Sequence, residues 1–115
     1  MFKRSGKDGY CSIIKGIEQK TLVYGDKTLM TEFVLRKGSI LPLHTHPHEQ
    51  TGYLVKGTIC LLIGQEEYNA NVGDSWCIPA NTKHGAKILE DSVAIEVFSP
   101  VREDYLPQEK EKEQL

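Results

Sequence analysis

The sequence has no long apolar run; the longest uninterrupted one is Ile59–Ile63. A membrane-spanning helix needs about 20 such residues, so none is expected and no membrane partner with it. Charge of one sign is missing too. Fourteen basic against sixteen acidic residues leave a net charge of −2, without the basic footprint a nucleic-acid binder needs to displace counterions. Cysteine is scarce: Cys11, Cys60 and Cys77 form no C-x-x-C pair and are odd in number. Neither a disulfide framework nor a thiolate zinc site is expected, and the three read as small buried hydrophobes in a reducing compartment. The basic N-terminal residues 1–6 have no apolar stretch behind them. No secretory signal is therefore expected, and the expected location is the cytoplasm. No repeat, linker or second domain stands out. With 39% apolar residues, 115 residues suffice for one buried core.

What is present reads as strands. Glycines at 25, 38, 52, 57, 64, 73 and 85 cut the middle of the chain into short pieces rich in β-branched and aromatic residues. Ile13-Ile14, residues 22–24, 28–36, 50–56, 58–63, 67–70, 75–78 and 92–98 are the expected strands, at a spacing that suits an all-β sandwich or barrel. Gly25-Asp26-Lys27, Lys56-Gly57, Gly64-Gln65-Glu66 and Gly73-Asp74 supply turns. Ser99-Pro100 reads as an N-cap followed by proline at the first helical position, predicting a short helix over 100–106. Pro107 ends it. Residues 108–115 are predicted to be a charged, flexible tail behind a single domain spanning 1–107.

All four histidines fall between residues 44 and 84. In a strand, residues two apart point to one side, so His44 and His46 can present two imidazoles to one point. A first-row divalent metal asks this of a β scaffold. His84, just past a proline-containing turn, is the third candidate.

These residues carry a resemblance to the cupin superfamily. Gly38, five residues, His44-Thr45-His46, three residues, Gln50, six residues and Gly57 resemble its first motif. Gly73, five residues, Pro79, one residue, Asn81, two residues and His84 resemble its second. The resemblance covers roughly residues 20–100. It implies a double-stranded β-helix, a jelly-roll barrel, with one divalent transition metal (nickel, zinc, iron, manganese or cobalt) held by His44, His46, Gln50 and His84. Gln50 stands where the motif has glutamate, which leaves an all-neutral shell and the ion's full charge. Asn81 stands where the motif has glycine and tolerates the same left-handed backbone. Glu49 and His48 are the competitors for the fourth ligand place. Strand alternation turns Glu49 away, and Pro47 interrupts the strand before His48.

On the last expected strand, Val93, Ile95 and Val97 read as ordinary core, while Glu96 and Phe98 share the other face with Ala94. The run 96–106, with residues 46–50 and 73–76, resembles the pectin-degradation cupins that open the ring of 4,5-unsaturated uronates. That resemblance implies Glu96 as the catalytic acid or base, where the subgroup has aspartate, and Phe98 and Arg102 as substrate-binding residues. The partner is then a small anionic substrate, a sugar acid, and the product its linear keto form. Two other readings stay open: a metal-dependent dioxygenase or cyclase, and a non-catalytic module that binds a small ligand. A homodimer is also expected, because an extra strand near Ile13-Ile14 could pair with a second barrel, and the resemblance points the same way.

Overall fold

The structure, a computed structural model, describes residues 1–107, so the expected tail at 108–115 lies outside the described residues. Ten described strands form two antiparallel sheets: β1 (Cys11–Ile14), β2 (Ile17–Tyr24), β3 (Leu29–Leu35), β4 (Ile40–His44), β5 (Glu49–Lys56), β6 (Thr58–Ile63), β7 (Glu66–Asn71), β8 (Ser75–Ile78), β9 (His84–Ile88) and β10 (Ser92–Ser99). One sheet has the order β1-β2-β3-β10-β5-β8 and the other β4-β9-β6-β7. This is the double-stranded β-helix expected.

The core lies between the sheets. Leu29, Phe33, Leu35, Leu54, Ala94 and Phe98 of the larger sheet meet Ile59, Leu61, Ala70, Ala86 and Ile88 of the smaller. Strands enter it with period two: on β5, Gln50, Gly52 and Leu54 are buried while Glu49, Thr51, Tyr53 and Val55 are exposed. The corner between β5 and β6 is Gly57, at φ +92, where a Cβ would overlap Ser92 and the Asp91 carbonyl. Only glycine lets the chain cross there from one sheet to the other.

The structure corrects several expectations. β4 and β9 were not anticipated as separate strands. Pro42 lowers the strand signal of β4, and the structure tolerates it because β4 is an edge. On β10 the face expected to be ordinary core lies outside: Val93, Ile95 and Val97 are half-buried there, while Ser92, Ala94, Glu96 and Phe98 point inward. Apolarity assigned the faces wrongly because the barrel interior is itself partly polar. Ser99 still pairs with Glu49 in the β5–β10 ladder, so it cannot cap a helix. The Ser99–Pro100 peptide is cis, and only a single 3-10 turn, Glu103–Tyr105, follows. Of the cysteines, Cys60 is buried but Cys11 and Cys77 are exposed, and all three are free thiols. No described helix is long and apolar enough to cross a membrane.

Candidate metal centre

Three imidazoles meet at one end of the barrel. His44 ends β4 and His84 begins β9, and the antiparallel pairing sets them opposite one another with ring centroids 4.2 Å apart. His46 lies two residues beyond the end of β4, its ring 4.8 Å from that of His84 and 5.7 Å from that of His44. The expected pairing within one strand is therefore replaced by a strand end and a loop. The backbone N–H of Asn81 fastens that loop by donating to the His46 carbonyl at 2.8 Å. Asn81 adopts φ 64, the left-handed conformation expected of it. One ligating atom from each of the three histidines lies within 4.8 Å of the others.

The hydrogen bonds fix which nitrogen faces inward. Nδ1 of His44 meets the Pro42 carbonyl at 2.9 Å, that of His46 the His48 carbonyl at 3.1 Å, and that of His84 the Thr82 carbonyl at 2.8 Å. A carbonyl only accepts, so each Nδ1 carries the proton and each Nε2 offers a lone pair. Nε2 of His84 is buried without a partner among the described residues. Gln50 adds a fourth donor atom: its amide nitrogen donates to the Glu96 carboxylate, which turns Oε1 toward Nε2 of His46 at 3.0 Å. With the His46 proton on Nδ1, Nε2 and Oε1 both offer lone pairs to the same place. The residues thus fit a divalent cation, held by three neutral imidazoles and one amide oxygen. Burial pulls the His84 imidazole down to about 4, and burial followed by the Arg102 charge lowers His46, so both rings favour the neutral, ligating form.

The competitors fall away. Glu49 is exposed on the outer face of β5. The His48 ring stands outside the triad, 5.5 Å from the His46 ring and 6.4 Å from that of Phe98. It contributes a backbone carbonyl, which a substitution preserves. His48→Ala is expected to retain a full equivalent of metal by elemental analysis, and loss of the ion would place the His48 ring in the ligand set.

A cavity of about 270 Å³ opens beside the imidazoles. His44, Gln50, His84, Glu96, Phe98 and Arg102 line it, with Trp76 and Tyr105, over a floor of barrel aliphatics. Glu96 is only 6% exposed, and burial pushes its carboxyl up to about 8 against the downward pull of the Trp76 N–H and the Arg102 charge. Arg102 reaches the cavity because the chain folds back after β10. Its guanidinium lies over the rings of Phe98 and Tyr105, 5.0 and 4.2 Å from their centroids, and its Nε donates to Asp104 at 3.0 Å. Its two terminal nitrogens make no hydrogen bond among the described residues. Burial pushes Tyr105 up to about 12, so its hydroxyl stays protonated. Sequence reasoning had assigned no site role to Trp76 or Tyr105. The inward parity of β8 opposite β5 could have marked Trp76, whereas the placement of Tyr105 depends on the fold-back.

Two sheets closing on a histidine cluster at one end define a cupin. The family profile described as the cupin domain matches residues 31–99, and the chain belongs to that family. It is 34% identical over 93 residues to the pectin degradation protein KdgF of Dickeya dadantii (strain 3937), covering 79% of this chain and 84% of that protein. The structure of KdgF from Halomonas sp. superposes with a TM-score of 0.82 at 31% identity, covering 86% of this chain and 94% of that one. An RmlC-like cupin from Shewanella frigidimarina superposes with a TM-score of 0.86 at 25% identity, covering 92% and 96%.

Proposed function

We propose that the chain is a metal-dependent enzyme that opens the ring of a 4,5-unsaturated uronate to the linear keto acid. The observation that carries this reading is the meeting, in one cavity, of the three-histidine and glutamine cluster with a buried acid, Glu96, and an arginine, Arg102. Similarity to a pectin degradation protein supports the substrate class. The cavity lies just below the range typical of drug-sized ligands, about 300–1,000 Å³, which suits a monosaccharide.

A divalent ion bound by His44, His46, Gln50 and His84 would supply Lewis acidity toward a sugar oxygen. The remaining work falls to the chain. Ring opening breaks the bond between the anomeric carbon and the ring oxygen. The anomeric hydroxyl loses a proton and becomes the aldehyde, and the ring oxygen leaves with the electron pair as an enolate at C5. A proton then added at C4 gives the ketone. The sum is an isomerisation that needs no oxidant and no water. Glu96 is the group positioned to move these protons. Phe98 forms an apolar wall, and Arg102 binds the sugar carboxylate through its terminal nitrogens. The test is loss of the ultraviolet absorbance of the conjugated double bond, against its slow spontaneous conversion. If metal-loaded protein accelerates no unsaturated uronate, the proposal fails. The oxygenase, cyclase and binding-module readings have no specific observation in their favour.

Arg102→Ala is expected to raise KM by one to two orders of magnitude with a smaller change in kcat, because the substrate carboxylate is present in ground and transition states alike. The measurement is a full saturation curve, and an unchanged KM would remove Arg102 from binding.

We further propose a homodimer. β1 is an edge strand whose outer side pairs with no described residue, and it carries the exposed Ile13. Two copies of one edge pair antiparallel about a two-fold axis and close the assembly. Sedimentation should give twice the chain's 13.0 kDa, and a monomer mass at micromolar concentration would refute the dimer. The exposed free thiols of Cys11 and Cys77 support the cytoplasm as its location.

A further inference from the structure

Glu96, Gly52 and Trp76 form one row across three adjacent strands. Glu96 of β10 pairs with Gly52 of β5, and Gly52 pairs with Trp76 of β8. The middle position has no side chain. A Cβ at Gly52 would overlap both Oε1 of Glu96 and the indole nitrogen of Trp76. Across the gap thus left, the Trp76 indole N–H donates to Oε1 of Glu96 at 2.6 Å. The other carboxylate oxygen accepts from the Gln50 amide, two residues before Gly52 on the same face of β5. Both oxygens of Glu96 are therefore held, one through the metal-site residue Gln50 and one through Trp76. Trp76, like Leu61, also lines a second cavity beside β6, β7 and β8.

We propose that Trp76 is a positioning residue for Glu96, admitted by Gly52: its N–H fixes the rotamer of the carboxyl beside the metal cavity. This rests on the reading of Glu96 as the proton-transfer group. An acid displaced by about 1 Å can lose on the order of 10²-fold in rate, and a long glutamate side chain held at only one oxygen could swing by that much. The aligned donor removes this freedom before substrate arrives. A group that acts through another in this way should be visible in kcat while leaving KM and metal content alone.

Two measurements test it. The chain contains one tryptophan, so an amide-correlation spectrum of the metal-free protein shows a single indole N–H signal. It should lie downfield and exchange slowly with solvent, and Glu96→Leu, which removes the acceptor, should shift it upfield and speed its exchange. A signal at the free-indole position in the wild type, or one unmoved by Glu96→Leu, would overturn the hydrogen bond and the proposal. In the metal-loaded enzyme, Trp76→Phe should lower kcat about 10–100-fold, the range for lost supporting contacts around a site, with KM within twofold and metal unchanged. Trp76→His, which restores a ring N–H, should recover part of the loss. A kcat within twofold of wild type, or a fall matched by lost metal, would overturn the positioning role. Should the wild type turn over no unsaturated uronate, the substrate reading fails, while the indole signal still decides the Trp76–Glu96 contact.

Discussion

His84→Ala is expected to remove the metal and bring turnover of an unsaturated uronate down to its spontaneous rate. His84 is 2% exposed, faces His44 across the β4–β9 ladder, and has an Nε2 without a partner. Among the described residues it is also the only candidate ligand supplied from outside residues 44–50. Without it the remaining donors come from one short segment and no longer surround the ion. Elemental analysis of protein purified without a histidine tag should give on the order of a tenth of an equivalent or less. The stability pattern is a second check. In the metal-free protein the unpartnered nitrogen costs about 1–3 kcal/mol, so removing it offsets part of the packing lost with the ring. Metal-free wild type and His84→Ala should then unfold at similar urea concentrations, while added metal raises only the wild-type midpoint. Full metal content or undiminished turnover in His84→Ala would refute the site.

The second large effect belongs to Glu96→Gln. An amide cannot exchange protons as a carboxyl does, so kcat should fall about 10²–10⁴-fold. The three imidazoles remain, so metal content should persist, and KM should change little because Arg102 still binds the carboxylate. The substitution is not structurally silent. Glu96 accepts from both Trp76 and Gln50. A glutamine has one acceptor oxygen, so one of those donors loses its partner, at a cost of about 1–3 kcal/mol in stability. Saturation kinetics, elemental analysis and urea unfolding on one preparation separate the three effects. Undiminished kcat would take Glu96 out of the chemistry.

Much of this site was legible in the chain. The spacing of His44, His46 and Gln50, and the frame from Gly73 to His84, gave both the family and the candidate ligands, because motif spacing encodes strand and turn lengths directly. The parity argument also succeeded for Glu49 and Gln50, which alternation separates onto opposite faces of β5. It failed in two places. His46 does not continue the strand of His44; it is brought back by a hydrogen bond from Asn81, thirty-five residues later in the chain. On β10, the more apolar set, Val93, Ile95 and Val97, turned out to face outward. Hydrophobic pattern identifies the buried face only where the interior is apolar, and here the interior at that level holds a carboxyl, an amide and imidazoles.

The sequence by itself determined the all-β barrel and the pairing of Glu96 with Phe98 on one face, because each depends on local spacing and period-two alternation, while the candidate ligands followed from the resemblance of its motifs to a family. Tertiary structure alone decided the rest. The Nδ1 bonds to backbone carbonyls turned three lone pairs toward one point. The missing side chain at Gly52 let an indole from β8 reach a carboxyl on β10. The fold-back after Ser99 laid Arg102 over Phe98 and Tyr105 at the cavity. The row of Glu96, Gly52 and Trp76 joins three strands far apart in the chain, and where the local contacts of the histidines and Arg102 come to lie is set by sheet order and register, which local sequence pattern does not encode.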